Sequence, residues 1–211
     1  MICPLCEKRK AKRFCPAKGT HICSRCCGAE REVTIACPFE CSYLQEARQH
    51  DYKGGIAPKD FPHKEIQIDE GFLRDHGELT EMCARELFRG AVAVPGVADA
   101  DTRQALEALI QTYKTLDSGI YYDSRPDSSF ARQIMDHMQK AVHEFREAET
   151  RQAGFPRTRE SDVLRVWVFL YRMALDRDNG RPKGKAFLDF LRLHFQPQPS
   201  APQPSLIIPG I

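Results

Sequence analysis

The sequence predicts a mainly α-helical protein, with a small cysteine-rich module at the N-terminus and an all-helical bundle after it. Three observations lead there. Eight of the nine cysteines fall within the first 41 residues. From Asp69 onward, apolar residues recur mostly at three- and four-residue spacing. Over that same stretch no strand-like alternation is long enough to argue for a sheet. At 211 residues, 42% apolar and 28% charged, the chain is globular and suits a small module joined to one modest domain. No run of 18 apolar residues occurs, which excludes a membrane-spanning helix. The opening Met1-Ile2-Cys3-Pro4-Leu5-Cys6 carries no basic stretch followed by an apolar one, so no secretory signal is expected and the location expected is cytoplasmic. A net charge of +2 implies neither a nucleic-acid nor a membrane partner by itself.

The cysteines come first because their spacing carries chemistry. Cys3-Pro-Leu-Cys6 and Cys23-Ser-Arg-Cys26 are C-x-x-C steps, and Cys37-Pro-Phe-Glu-Cys41 is a C-x-x-x-C step, with Cys15 and Cys27 between them. Tetrahedral zinc with Zn–S bonds of about 2.3 Å needs sulfurs roughly 3.8 Å apart, and a tight turn of two or three residues supplies that separation. A disulfide framework needs an oxidising compartment, and a redox C-x-x-C sits on a βαβ pattern that is absent here. The spacing also matches none of the ferredoxin runs. Eight thiolates make two closed sites. Their order along the chain suggests interleaving: Cys3, Cys6, Cys23 and Cys26 on one ion, Cys15, Cys27, Cys37 and Cys41 on the other. Adjacent Cys26 and Cys27 differ in direction by about 100° on a helical turn, so they can serve different metals. His21 is the rival to Cys27. In an extended segment, however, residues 21 and 23 share a face, which would send His21 toward the first ion. Four sulfurs leave no position for water, so both zincs are expected to be structural. A module whose large apolar residues are Phe14, Ile22, Val33, Ile35, Phe39 and Leu44 needs metal binding to fold, on the order of 10 kcal/mol per site.

The stretch Phe14-Cys15-Pro-Ala-Lys-Gly-Thr-His-Ile-Cys23-Ser-Arg-Cys26 is similar to the central part of HIT-type zinc fingers, and more loosely to B-box and MYND fingers. The resemblance covers residues 1–45. It implies a binuclear cross-brace of treble-clef type at the matching positions Cys3, Cys6, Cys15, Cys23 and Cys26, and a role in protein–protein contact. The chain departs from the HIT pattern at Lys18, where that family has a cysteine, and adds Cys27.

Residues 8–13, Lys-Arg-Lys-Ala-Lys-Arg, form a basic loop. Over residues 1–50 there are nine Lys and Arg against five Glu, and eight thiolates with two zinc ions bring the loaded module close to neutral. The loop therefore reads as an offset to thiolate charge, with phosphate or protein docking as its other uses. Residues 41–50 read as a short helix closing the module over residues 1–48. A linker follows over 49–68, with Gly54, Gly55, Pro58 and Pro62. The bundle spans 69–195 in five helices. The first runs from Asp69 to about Gly90 with an interruption at Gly77, and the second from Asp101 to Leu116, capped by Asp99 or Asp101. A third is capped by Ser128 or Ser129, with a stripe of Phe130, Ile134, Met138, Val142 and Phe145. Ser161 opens a fourth, whose segment Val163–Tyr171 is apolar nearly all round and so central. Asn179-Gly180 stops it, and a fifth starts near Gly184 with Phe187, Leu188, Phe190, Leu191, Leu193 and Phe195 inward. Residues 196–211 are a Pro-rich tail ending in Leu206-Ile-Ile-Pro-Gly-Ile211, expected to be disordered.

Catalytic signatures fail. His137 and His143 are too far apart for H-E-x-x-H, Gly180–Lys185 is no P-loop, and Cys83 lies on an apolar helix face. Two polar clusters, Ser118–Pro126 and Asp176–Lys185, would form a pocket if they met. The expected function is that of an intracellular zinc-binding adaptor or regulatory protein acting through protein–protein interaction, with no catalytic residues assigned. The alternatives are a nucleic-acid binder using Lys8–Arg13, and an enzyme or small-ligand binder with its pocket near Tyr121 and Arg181.

Overall fold

A computed structural model describes residues 1–51, 56–117, 119 and 123–196. Tyr121 and Tyr122 of the first polar cluster, and the Leu206–Ile211 end, lie outside the described residues. Among the described residues the chain is mainly helical, with one small sheet in the N-terminal module. Met1–Cys3 runs antiparallel beside Arg9–Ala11, through Cys3 N–H to Arg9 C=O (2.8 Å) and Ala11 N–H to Met1 C=O (3.1 Å), with Ile2 opposite Lys10. The chain continues into β1 (Arg13–Cys15), which pairs with β2 (Thr20–Ile22) so that Phe14 faces His21. Helix α1 (Ser24–Glu30) follows at once, and α2 (Ser42–Asp51) closes the module.

The bundle begins with α3 (Glu70–Asp75), whose N-cap Asp69 accepts the Phe72 N–H at 2.7 Å, and α4 (Gly77–Val92). The stripe read as one helix is thus two, parted at His76, because Gly77 costs helix propensity at that point. Then come α5 (Asp99–Asp117), α6 (Ser129–Ala153), α7 (Glu160–Asp176) and α8 (Ala186–Phe195). Ser128 caps α6 as expected, and Gly154 ends it at φ 83°, a left-handed position that suits glycine. Helix α7 opens one residue early, at Glu160, with Asp162 accepting the Arg159 N–H at 3.0 Å. Helix α5 packs on α6 and α7, and α4 on α6 and α8. The α4–α6 crossing is close: a β-carbon on Gly90 would lie 2.6 Å from the His137 ring.

Trp167 of α7 is fully buried, edge-on to Tyr113 of α5 with ring centroids 6.1 Å apart. Around it Val163, Val166, Val168 and Leu170 are inaccessible, while Arg165 faces solvent and Phe169 and Tyr171 are half-buried. The helix is central without being buried all round. Phe130 and Leu193, expected inward, lie 37% and 50% exposed, each near an end of its helix. Residues 62–66 are strapped across the bundle. The Arg172 guanidinium donates to the carbonyls of Pro62, His63 and Ile66, and His63 bonds Glu107 (3.1 Å) and Lys114 (2.8 Å).

One buried carboxylate joins the module to the bundle. Glu32 is 1% exposed, and its oxygens accept from Arg48 Nη2 of α2 (2.7 Å), Asn179 Nδ2 (2.9 Å) and the Lys185 N–H (3.0 Å). Its carbonyl accepts from the Lys183 N–H (2.8 Å). Glu32 sits at φ 52°, a left-handed backbone costing about 1 kcal/mol that these bonds hold in place. Arg48 also pairs with the buried Asp189 of α8. Beside this network Phe39 leaves the module to pack on Phe88 of α4, centroids 6.0 Å apart, with the Lys185 and Arg192 cations over its ring. Asp99, expected as a cap for its own helix, instead accepts the Phe187 and Leu188 N–H groups (2.9 and 3.1 Å) and so caps α8. Asp101 is the residue that bonds back to the Ala98 N–H, at 3.0 Å.

Removing one member of a buried charge network strands the others. Glu32→Gln is expected to lower unfolding free energy by about 3 kcal/mol in urea titrations of the metal-loaded protein. An unchanged midpoint and slope would contradict that role. Burial pushes the Asp99 carboxyl up to about 7; the two backbone N–H groups pull it down, Glu32 raises it further and Arg48 lowers it. Because the folded value exceeds the ordinary one, its contribution is full below about pH 4 and lost as pH rises through about 7. The stability of wild type relative to Asp99→Asn should therefore fall across that window, and a flat difference would refute the assignment.

Candidate metal centre

Cys3 and Cys6 sit on a turn closed by the Glu7 N–H to the Cys3 carbonyl at 2.8 Å, with Glu7 at φ 51°. Cys23 is the N-cap of α1, and its sulfur accepts the Cys26 N–H at 3.4 Å, so the second C-x-x-C step is the first turn of a helix. The register of β1 and β2 brings the two steps together. The four sulfurs of Cys3, Cys6, Cys23 and Cys26 lie within 4.8 Å of one another, and Cys6 and Cys23 approach to 3.9 Å, close to the sulfur separation of a tetrahedral thiolate site. Cys3 and Cys23 are buried, and Cys6 and Cys26 are half-buried.

The four thiols are unlike one another. The Lys8 and Arg9 N–H groups hold Cys6 down to about 6. Burial opposes ionisation of Cys3, yet the N–H groups of Cys23, Leu5 and Cys6 outweigh it and lower this thiol as well. Its hydrogen bond to Cys23, followed by burial, pushes Cys26 up to about 12. Thiolates crowded together resist joint ionisation, and a divalent cation among them removes that resistance. Four soft sulfur donors at this spacing fit a metal with tetrahedral preference and leave no open coordination position.

The other predicted ligands are placed differently. Cys15, Cys37 and Cys41 are buried in the same small core. Burial pushes the Cys37 thiol up, the Glu32 N–H opposes this, and the charges of Cys41, Glu32 and Cys15 add to the rise. These three are neighbours, but among the described residues the four-sulfur cluster is the one group of three or more His, Cys, Asp or Glu with ligand atoms all within 4.8 Å of each other. The sulfur of Cys27 meets two guanidiniums, Arg13 Nη1 at 3.8 Å and Arg31 Nη2 at 4.0 Å. Cys26 and Cys27 do diverge. The parity expected of His21 and Cys23 is not seen: Cys23 keeps an extended backbone as the N-cap of α1, yet its side chain is buried while that of His21 is not. His21 is exposed, its ring against Phe14. Phe14 and Val33, two of the module's few large apolar residues, are 51% and 38% exposed.

The polar cluster Asp176–Lys185 is engaged by the module. Arg181 Nη1 donates to the Arg31 carbonyl (2.7 Å), Lys183 Nζ to the Thr34 carbonyl (2.7 Å), and Asn179 to Glu32. A cleft of about 280 Å³ beside α7 is lined by Phe61, Ile68, Leu73, Phe169, Arg172 and Met173 among others, and Arg172 there already serves three carbonyls. Cys83 is inaccessible, and burial pushes its thiol up, as suits a core residue. Glu32 escaped the sequence reading because no spacing or periodicity marks a loop carboxylate whose partners lie in α2 and beyond α7.

Replacing one cluster sulfur tests the centre. Cys23→Ser should remove one metal equivalent by elemental analysis and loosen residues 1–48 to proteolysis, while the helical circular dichroism of α3–α8 is largely retained. Unchanged metal content would show that these sulfurs do not hold the ion. Comparison with protein-family models, with curated proteins and with solved structures finds no match, so the likeness to HIT-type fingers stands on the cysteine spacing alone.

Proposed function

We propose that this chain is an intracellular zinc-binding adaptor or regulatory protein acting through protein–protein contact, its metal structural and not catalytic. The observation that carries the reading is the closed four-sulfur cluster of Cys3, Cys6, Cys23 and Cys26 in a module with little aliphatic core. A site of this kind holds a surface rigid and does no chemistry of its own. The surface it holds includes Met1, Ile2, Leu5, Phe14 and Val33, large apolar side chains left in solvent on one small module, as recognition surfaces often are. A second zinc on Cys15, Cys27, Cys37 and Cys41 belongs to the same reading. Its support is the burial of Cys15, Cys37 and Cys41 beside one another.

Native mass spectrometry with elemental analysis is expected to give two zinc ions per chain, falling to one in Cys27→Ser. One ion in the wild type would remove the second site, and iron would remove zinc. For the adaptor role, crosslinking in the native host should capture a protein with the wild-type chain that Cys23→Ser fails to capture. Equal capture by both, or none by either, would count against it.

A further inference from the structure

From Lys10 to Cys15 the chain alternates between solvent and interior. Lys10, Lys12 and Phe14 are exposed, Ala11 and Arg13 are half-buried, and Cys15 is buried. An extended strand puts alternate residues on one face, so the three exposed side chains stand together. Their cross-strand partners extend that face: Ile2 lies opposite Lys10, and His21 lies opposite Phe14. The result is one outward surface of Ile2, Lys10, Lys12, Phe14 and His21. The Phe14 and His21 rings stand edge to face, centroids 5.5 Å apart, and Phe14 is 51% exposed. Lys8 and Arg9 adjoin it, and the Cys3 N–H donates to the Arg9 carbonyl at 2.8 Å, which ties their loop to the first cysteine turn. Among the described residues none of Lys8, Arg9, Lys10 and Lys12 has a carboxylate within ion-pair distance, although the chain elsewhere pairs most of its buried and half-buried cations.

We infer that this ribbon face binds single-stranded nucleic acid, with Phe14 and His21 as stacking platforms and Lys8, Arg9, Lys10 and Lys12 on the phosphates. The argument is complementarity. An exposed aromatic pair set among unpaired cations matches a ligand that carries a flat ring and a negative charge in each repeating unit. A duplex offers the charge and keeps its ring faces stacked, and an acidic peptide offers the charge without the ring. This inference goes beyond the adaptor reading and does not require a protein partner. It does require the four-sulfur centre, because that centre anchors the loop.

The test is fluorescence anisotropy of the zinc-loaded full chain with labelled oligo-dT and oligo-rU of about 15 nucleotides. Binding should weaken steeply from about 50 to about 200 mM salt. Phe14→Ala, at an exposed position, should weaken it about tenfold or more with metal content unchanged. Lys10→Ala with Lys12→Ala should lower the salt slope by about 1.4, at about 0.7 per phosphate contact on a single strand. Three results would overturn the proposal: no binding at low salt, affinity indifferent to Phe14→Ala, or displacement of the oligonucleotide by poly-glutamate at equal charge concentration. The last would assign the face to an acidic protein. The metal content measured alongside tells failure of this face from failure of the centre beneath it.

Discussion

Sulfur takes the place of an aliphatic core in the first fifty residues, and the rest of the molecule is arranged around that fact. The buried hydrophobic side chains there are five cysteines with Ile22, Ile35 and Leu44. Three aliphatic residues cannot offset the conformational entropy of ordering so many others, even at about 25 cal/mol per Å² of buried apolar surface. Two turns far apart in the chain, Cys3–Cys6 and Cys23–Cys26, must therefore be held by something stronger than dispersion. A tetra-thiolate metal site is the strongest tie available to so short a segment. With all its donors supplied by the chain, such a tie would fix a hairpin, a loop and a helix start relative to one another.

The second constraint is the buried charge network that locks this module onto the helices. Glu32, Arg48 and Asp189 contribute little net stability against a well-packed apolar alternative, since each ion is costly to take out of water. What they contribute here is orientation. A carboxylate that must accept from α2, from Asn179 and from the start of α8 tolerates one relative placement of those elements, where an oily contact would tolerate several. Phe39 fills the apolar part of the same joint and brings the C-x-x-x-C segment against α4. Asp99 acts in the same region by capping α8 from the start of α5, so the Cys27–Cys37 loop, α2, α5 and α8 share one electrostatic neighbourhood. The metal centre and the bundle are for this reason parts of one mechanical object, and a surface held by the sulfurs is held relative to the helices as well.

Much of this was legible in the residues, in a way that follows the range of the forces. Helical stripes were read well where one face is buried throughout, as along Ile134, Met138 and Val142. Near helix ends the period is a weaker guide, since Phe130 and Leu193 keep it and are still 37% and 50% exposed. The break at His76 was signalled by Gly77, but the sequence could not decide between a tolerated glycine and a true interruption. In the module, the alternation of Lys10 to Cys15 was present in the sequence all along. It was obscured because a run of cations reads as a charge cluster, and only the pairing with Met1–Cys3 and with β2 shows that it is a two-faced strand.

By itself the sequence determined the number of sulfurs, the turns that present them in pairs, the helical character of the remainder and the caps that are local, such as Asp69 and Ser128. These depend on neighbours within a few residues, where backbone geometry leaves few choices. Only the tertiary structure decided that His21 faces outward with Phe14, that Cys27 turns to Arg13 and Arg31, and that Glu32 is the joint. Those outcomes rest on partners up to 153 residues away, as between Glu32 and Lys185. At that separation no propensity or spacing rule acts, and placement follows from which burial satisfies every buried charge at once.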